Sequence, residues 1–150
     1  MASGTAVAVA LAATAGLAGA VQAAVMGELG ERVGIVPAVA ISVVVALACG
    51  LAALAVWERG VAGVRAALHE PAWLWLGGVM SVYIVFAVTV GPPRIGVAAT
   101  VGIVIAGNLV SAALIDRYGL FGQDVIPIDR WRLLGLLLLA AGAALSLSRT

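Results

Sequence analysis

The charged residues of this chain of 150 residues are confined to short islands, and this feature constrains the fold more than any other. No charged residue occurs before Glu28, and the later charges leave four further long uncharged stretches between them. A helix needs roughly 20 apolar residues to cross a bilayer core about 30 Å thick. We therefore predict an all-α integral membrane protein with about five transmembrane helices, all in a single domain over residues 1–150.

The uncharged stretches place the predicted membrane spans. They cover approximately residues 5–26, 35–56, 72–90, 95–115 and 133–147. Proline is favoured in the first turn of a helix and disrupts its interior. Pro37 and Pro71 stand near predicted helix starts, Pro127 precedes the last span, and Pro92-Pro93 is expected to form a tight link.

The composition agrees with a membrane location. Hydrophobic residues make up 64% of the chain and charged residues 10%, whereas soluble proteins are about 45–50% apolar and roughly 25% charged. A soluble fold of this sequence would expose apolar surface that only lipid could cover. No basic residue precedes the first apolar run, so we expect it to remain as a span rather than to be cleaved as a signal peptide.

Several functional classes are disfavoured. The net charge is +1 and the arginines form no cluster, so no nucleic-acid partner is expected. His69 is the only histidine and Cys49 the only cysteine, which leaves no zinc-type ligand spacing. No acidic or basic residue lies inside a predicted span. We therefore predict that the protein is not an enzyme and uses no metal or cofactor.

Polar side chains inside the predicted spans are the candidates for a binding site, because each is costly in lipid unless it is partnered or functional. The substrate-binding candidates are Gln22 in the first span, Tyr83 in the third, and Asn108 and Ser111 in the fourth. Thr14 and Thr100 lie on the same faces as Gln22 and Asn108. Two interpretations stay open: the amides bond to neighbouring helices, or they line a polar cavity for a small solute.

The last span has no polar side chain between Leu133 and Leu145, so we assign it to lipid contact and subunit pairing. Small residues allow helices to approach closely in membranes. Gly135 and Gly142 share a face at heptad spacing and are the predicted dimer interface. At the end of the fourth span, Asp116 is expected to pair with a nearby arginine.

The arginines indicate an orientation. Five lie on the side of the N-terminus and three on the other: Arg59, Arg65, Arg117, Arg130 and Arg132 against Arg32, Arg94 and Arg149. This slight excess favours a cytoplasmic N-terminus. A bias this small also allows insertion in both orientations. Such a chain could form an antiparallel pair with the inverted symmetry of many transporters.

Several segments resemble a known family. They are the stretch from Pro71 to Gly78, the sequence Gly91-Pro-Pro-Arg-Ile-Gly96, the pair Gly107-Asn108 and the stretch from Leu114 to Leu120, with Gly19 and Gln22 in the first span and Leu29-Gly30 just after it. Together they are similar to the YdcZ-like inner-membrane exporters of the drug/metabolite transporter superfamily, relatives of the small multidrug resistance proteins. The resemblance implies a five-helix, multi-pass protein of the bacterial inner membrane. It also implies pairing, as an antiparallel homodimer or with a homologous five-helix subunit.

The function expected from these features is export of a small organic solute by a dimer that alternates access between the two sides of the bilayer. The alternative is a structural or accessory membrane subunit that does not itself transport.

Overall fold

The computed structural model describes residues 2–57, 62–127 and 129–147. The α-helices in these ranges are α1 (Ala2–Val33), α2 (Ile35–Trp57), α3 (Ala62–Ala67), α4 (Leu76–Val90), α5 (Pro92–Ile95), α6 (Val97–Tyr118) and α7 (Arg130–Leu147). Two 3₁₀ helices cover Ala72–Trp75 and Leu120–Gly122. Arg59 and Arg149, which the orientation argument uses, lie outside the described residues.

Four helical segments in the described ranges are long and apolar enough to cross a membrane. They are Gly4–Val33, Ile35–Trp57, Ala72–Ile95 and Val97–Tyr118. A shorter apolar segment, Leu133–Leu145, lies within α7 and corresponds to the fifth predicted span. The predicted all-α membrane architecture is therefore confirmed. The single domain and the antiparallel pairing stay predictions.

The first helix extends beyond its predicted end at Met26. It continues to Val33 through a polar turn in which Arg32 Nε donates to Glu28 Oε1 at 2.7 Å. Such a pair, four residues apart, stabilises the helix on its solvated side. The helix then ends at Gly34, whose φ of 93° suits glycine, and α2 begins at the next residue.

The link at Pro92-Pro93 takes the form of one turn of helix, α5. Both prolines stand in its first turn, where a fixed φ and a missing N–H do no harm. Gly96, with a φ of 81°, separates α5 from α6. At the other end of α6, Gly119 adopts the left-handed conformation and donates its N–H to the Ile115 carbonyl. This is the usual glycine termination of a helix.

The chain divides into two compact units. One is formed by Val25–Val90, and the other by Met1–Ala24 with Gly91–Thr150. In the first unit α2 packs on α4, and Met26, Ala38, Val39, Val88 and Thr89 are buried. In the second unit α7 packs along α6, and α5 leads into α6. Some of the buried residues, such as Ala38 and Thr89, are small, as expected for helices that meet in a membrane.

Candidate substrate-binding site

The four predicted binding residues all lie on the surface of the chain. Tyr83, in the middle of α4, is 67% exposed. Gln22 on α1 and the pair Asn108 and Ser111 on α6 are also exposed. Tyr83 belongs to the Val25–Val90 unit and the other three residues to the second unit, so each group is described separately.

Asn108 lies near the middle of its helix. At a rise of about 1.5 Å per residue it is roughly 15 Å from either end of α6. Ser111 follows three residues later, so both side chains project from one face. This places an amide and a hydroxyl close to the middle of the bilayer, where water is absent unless a cavity admits it.

None of these four side chains forms a hydrogen bond with another residue in the described part of the chain. The amides of Gln22 and Asn108 each carry two donors and an acceptor. A polar group left unpaired in hydrocarbon costs several kcal/mol. In the membrane such side chains are stabilised by a polar partner, for example a group on another subunit or water in a solute path.

The threonines near the candidates behave differently. The Thr14 hydroxyl donates to the Ala10 carbonyl at 3.1 Å and to the Leu11 carbonyl at 3.0 Å. Thr100 is buried and donates to the Gly96 carbonyl at 2.8 Å. Because these hydroxyls are satisfied within their own helices, Thr14 and Thr100 do not belong with the binding candidates. The sequence had placed them beside the candidates, because Thr14 lies on the same helix face as Gln22 and Thr100 on the same face as Asn108.

The last helix offers a feature that the sequence did not indicate. A cavity of about 300 Å³ lies between α6 and α7. Gly135 of α7 is half-buried and lines it, together with Asp116 of α6. Gly142 is exposed, with open space around the position of a Cβ. The contact of α7 with α6 runs instead through the next residue, Ala143, whose Cβ lies 3.8 Å from the position of a Cβ built on Gly102.

The pairing role of Gly135 and Gly142, like the arginine partner of Asp116, stays a prediction. The cavity was missed because it depends on how α7 lies against α6. The one sequence signal was the small residues Ala112 and Ala113 opposite Gly135. Among the described residues, no group of three or more His, Cys, Asp or Glu side chains lies together to hold a metal ion.

Comparison with protein families gives a match over most of the chain. The model of the family described as "Putative inner membrane exporter, YdcZ" matches residues 7–145, nearly the whole chain. No curated protein and no solved structure matches the chain. The match, together with the helices long enough to span a bilayer, identifies a multi-pass inner membrane protein of a transporter class. The chain belongs to the YdcZ family of inner membrane exporters.

Proposed function

We propose that this protein exports a small organic solute by alternating access, as a dimer whose two subunits together line the solute path. The observation that carries the proposal is a set of exposed polar side chains that form no hydrogen bond to another residue in the described part of the chain: Gln22, Tyr83, Asn108 and Ser111. In a transporter these groups would bind a polar solute, whereas in an accessory subunit they would only join neighbouring helices.

The substrate class follows from the chemistry of these groups. Amides, a phenol and a hydroxyl donate and accept hydrogen bonds but carry no charge at neutral pH. They fit an uncharged or zwitterionic solute with several hydrogen-bonding groups. No acidic or basic side chain lies near the middle of α1, α4 or α6, so no charged residue of these helices stands beside the proposed path.

The first prediction concerns the polar groups. Asn108→Leu and Gln22→Leu should each lower solute export by about two- to tenfold, because one hydrogen bond to substrate contributes about 0.5–1.5 kcal/mol. The solute is first identified as the metabolite enriched outside cells that overproduce the protein, compared by mass spectrometry with cells lacking it. Its efflux is then measured from liposomes containing each purified variant.

The matched control is Thr14→Val, which removes a hydroxyl already bonded to its own helix and should leave efflux unchanged. The proposal fails if Asn108→Leu lowers the thermal stability but transports normally per folded molecule. Such a result would make the amide a packing group and would favour the accessory-subunit alternative.

The second prediction concerns orientation. In a background carrying Cys49→Ser, single cysteines at Glu31 and Gln123 should both react with an impermeant maleimide in intact cells. In each case only about half of the molecules would react, because an antiparallel homodimer requires both orientations. Both positions are exposed and adjoin helix ends.

In a uniform population one position would label fully and the other only after the cells are opened. That outcome would exclude the antiparallel homodimer, so an antiparallel pair would then require a homologous subunit of opposite orientation.

A further inference from the structure

The connection between α6 and α7 begins as a folded loop rather than as an extended link. We call residues 119–127 the α6–α7 loop. Within it the Gln123 N–H donates to the Leu120 carbonyl at 3.2 Å, and the Ile126 N–H donates to the carbonyl of Asp116, in the last turn of α6, at 2.8 Å. The chain therefore turns back onto the end of α6 before it continues toward α7.

The backbone of this loop is held in an unusual conformation. Phe121 has a φ of 58° and a ψ of 27°, a left-handed conformation that a bulky side chain adopts only at an energetic cost. The loop is also packed tightly at its start. A Cβ added at Gly119 would lie 2.8 Å from Val125 Cγ2 and 3.1 Å from the Gln123 carbonyl oxygen. This contact and the two hydrogen bonds hold the loop in one arrangement.

The folded loop leaves its large apolar side chains on the surface. Phe121 is 59% exposed and Val125 68% exposed, and Leu120 and Ile126 are exposed as well. A contiguous apolar surface is unfavourable in water and marks contact with a membrane or with another protein. The arrangement of this loop therefore presents apolar side chains outward instead of burying them.

The position of the loop along α6 indicates what covers this surface. The 22 residues of α6 give a helix about 33 Å long, close to the thickness of a bilayer core, about 30 Å. Tyr118, the last residue of α6, is exposed, and tyrosine is enriched at the level of the lipid headgroups. The α6–α7 loop follows directly, and the apolar segment Leu133–Leu145 then returns the chain to the bilayer. The loop therefore adjoins the headgroups.

We propose that the α6–α7 loop lies in the headgroup region of the bilayer and inserts the side chains of Phe121 and Val125 among the lipids. Lipid is the occupant because the exposed side chains of the loop continue the lipid-facing surface of α6. Asp124 is the only charged residue of the loop, so attraction to anionic headgroups does not contribute and zwitterionic lipid suffices. The insertion holds for either orientation of the chain and does not depend on the transported solute.

The test measures the depth of the loop in the full-length protein, reconstituted in phosphatidylcholine vesicles. In a Cys49→Ser background, Phe121→Cys, Val125→Cys and Glu31→Cys each carry a nitroxide spin label. Electron paramagnetic resonance power saturation compares collisions of the label with oxygen, which concentrates in lipid, and with a water-soluble nickel chelate present on both sides. Glu31 is the aqueous control, because it is exposed in the polar last turns of α1.

We expect an oxygen-to-nickel collision ratio several-fold higher at Phe121 and Val125 than at Glu31. A ratio as low as that of Glu31 would overturn the proposal, because it would place the loop in water. Protection of both labels from both reagents would overturn it too, since another protein surface, such as a second copy of the chain, would then cover the loop. Val125→Cys decides the question if the label at Phe121 disturbs its left-handed backbone.

Discussion

Replacing Gly91 with alanine is expected to destabilise the protein by about 3 kcal/mol, at the upper end of overpacking costs. A Cβ at this position would lie 2.5 Å from Thr100 Oγ1 and 3.0 Å from Thr100 Cβ, and it would also overlap the methyl carbon Cγ2. Gly91 has a φ of −68° and a ψ of −57°, which alanine adopts freely. The expected loss is therefore steric and not conformational.

Thr100 cannot easily move away from the added methyl group. It is 4% exposed, and its hydroxyl is held by the hydrogen bond to the Gly96 carbonyl. Rotating the side chain would break that bond and leave a buried hydroxyl unsatisfied, at a cost of about 1–3 kcal/mol. The free energy of unfolding can be measured by titrating sodium dodecyl sulfate into maltoside micelles and following helicity.

A second substitution identifies the cause of the loss. Adding Thr100→Ala to Gly91→Ala removes both overlapping atoms, so the double variant should be more stable than Gly91→Ala alone. Gly102→Ala is the matched control, because its Cβ would sit 3.8 Å from that of Ala143, an ordinary van der Waals contact. Equal stability of Gly91→Ala and the wild type would show that α5 and α6 do not approach as closely as described.

Gly30 and Thr89 offer the same test in the Val25–Val90 unit, with an expected net loss of about 2 kcal/mol for Gly30→Ala. The added Cβ would lie 2.7 Å from Thr89 Cγ2. Thr89 is 1% exposed, and its hydroxyl donates to the Val85 carbonyl at 2.7 Å. Alanine is favoured over glycine inside a helix by up to about 1 kcal/mol, which offsets part of the clash.

Transferring the methyl group from one helix to the other should restore stability. Thr89→Ser removes Cγ2 but keeps the hydroxyl, so the pair Gly30→Ala with Thr89→Ser conserves the packed volume. Gly16→Ala in the same helix α1 has open space around its Cβ and should not destabilise in the same titration. If the serine replacement fails to rescue Gly30→Ala, the clash is not the cause of its instability.

The spans could be predicted from the sequence because they depend on the average hydropathy of about 20 residues, which no single contact alters. The helix-ending turn at Gly119 was also predictable, because glycine is the residue that most often ends a helix in the left-handed conformation. The end of α1 was not. Residues 27–33 contain three charges, which the hydropathy argument places outside the membrane, and a polar segment can be helical as well as coiled.

For the candidate site, the sequence predicts which residue types take part but not the surroundings of each side chain. Gln22 and Asn108 stand out because amides are rare in apolar spans, and the structure leaves both exposed. Thr100 looked equivalent in the sequence, yet its hydroxyl bonds to the backbone and its methyl group packs on Gly91. The burial of Thr100 depends on how closely Gly91 approaches α6. The spacing of residues along one helix does not predict such an approach.

The single residue between α1 and α2 limits how the length of this chain can vary during evolution. Gly34 alone separates the two helices, so an inserted or deleted residue there must be absorbed by a helix. Each residue turns an α-helix by about 100°, at 3.6 residues per turn. One insertion or deletion would therefore rotate either Gly30 away from Thr89 or Ala38 out of its buried position. Homologous chains should accordingly differ in length between α6 and α7, and hardly ever between Val33 and Ile35.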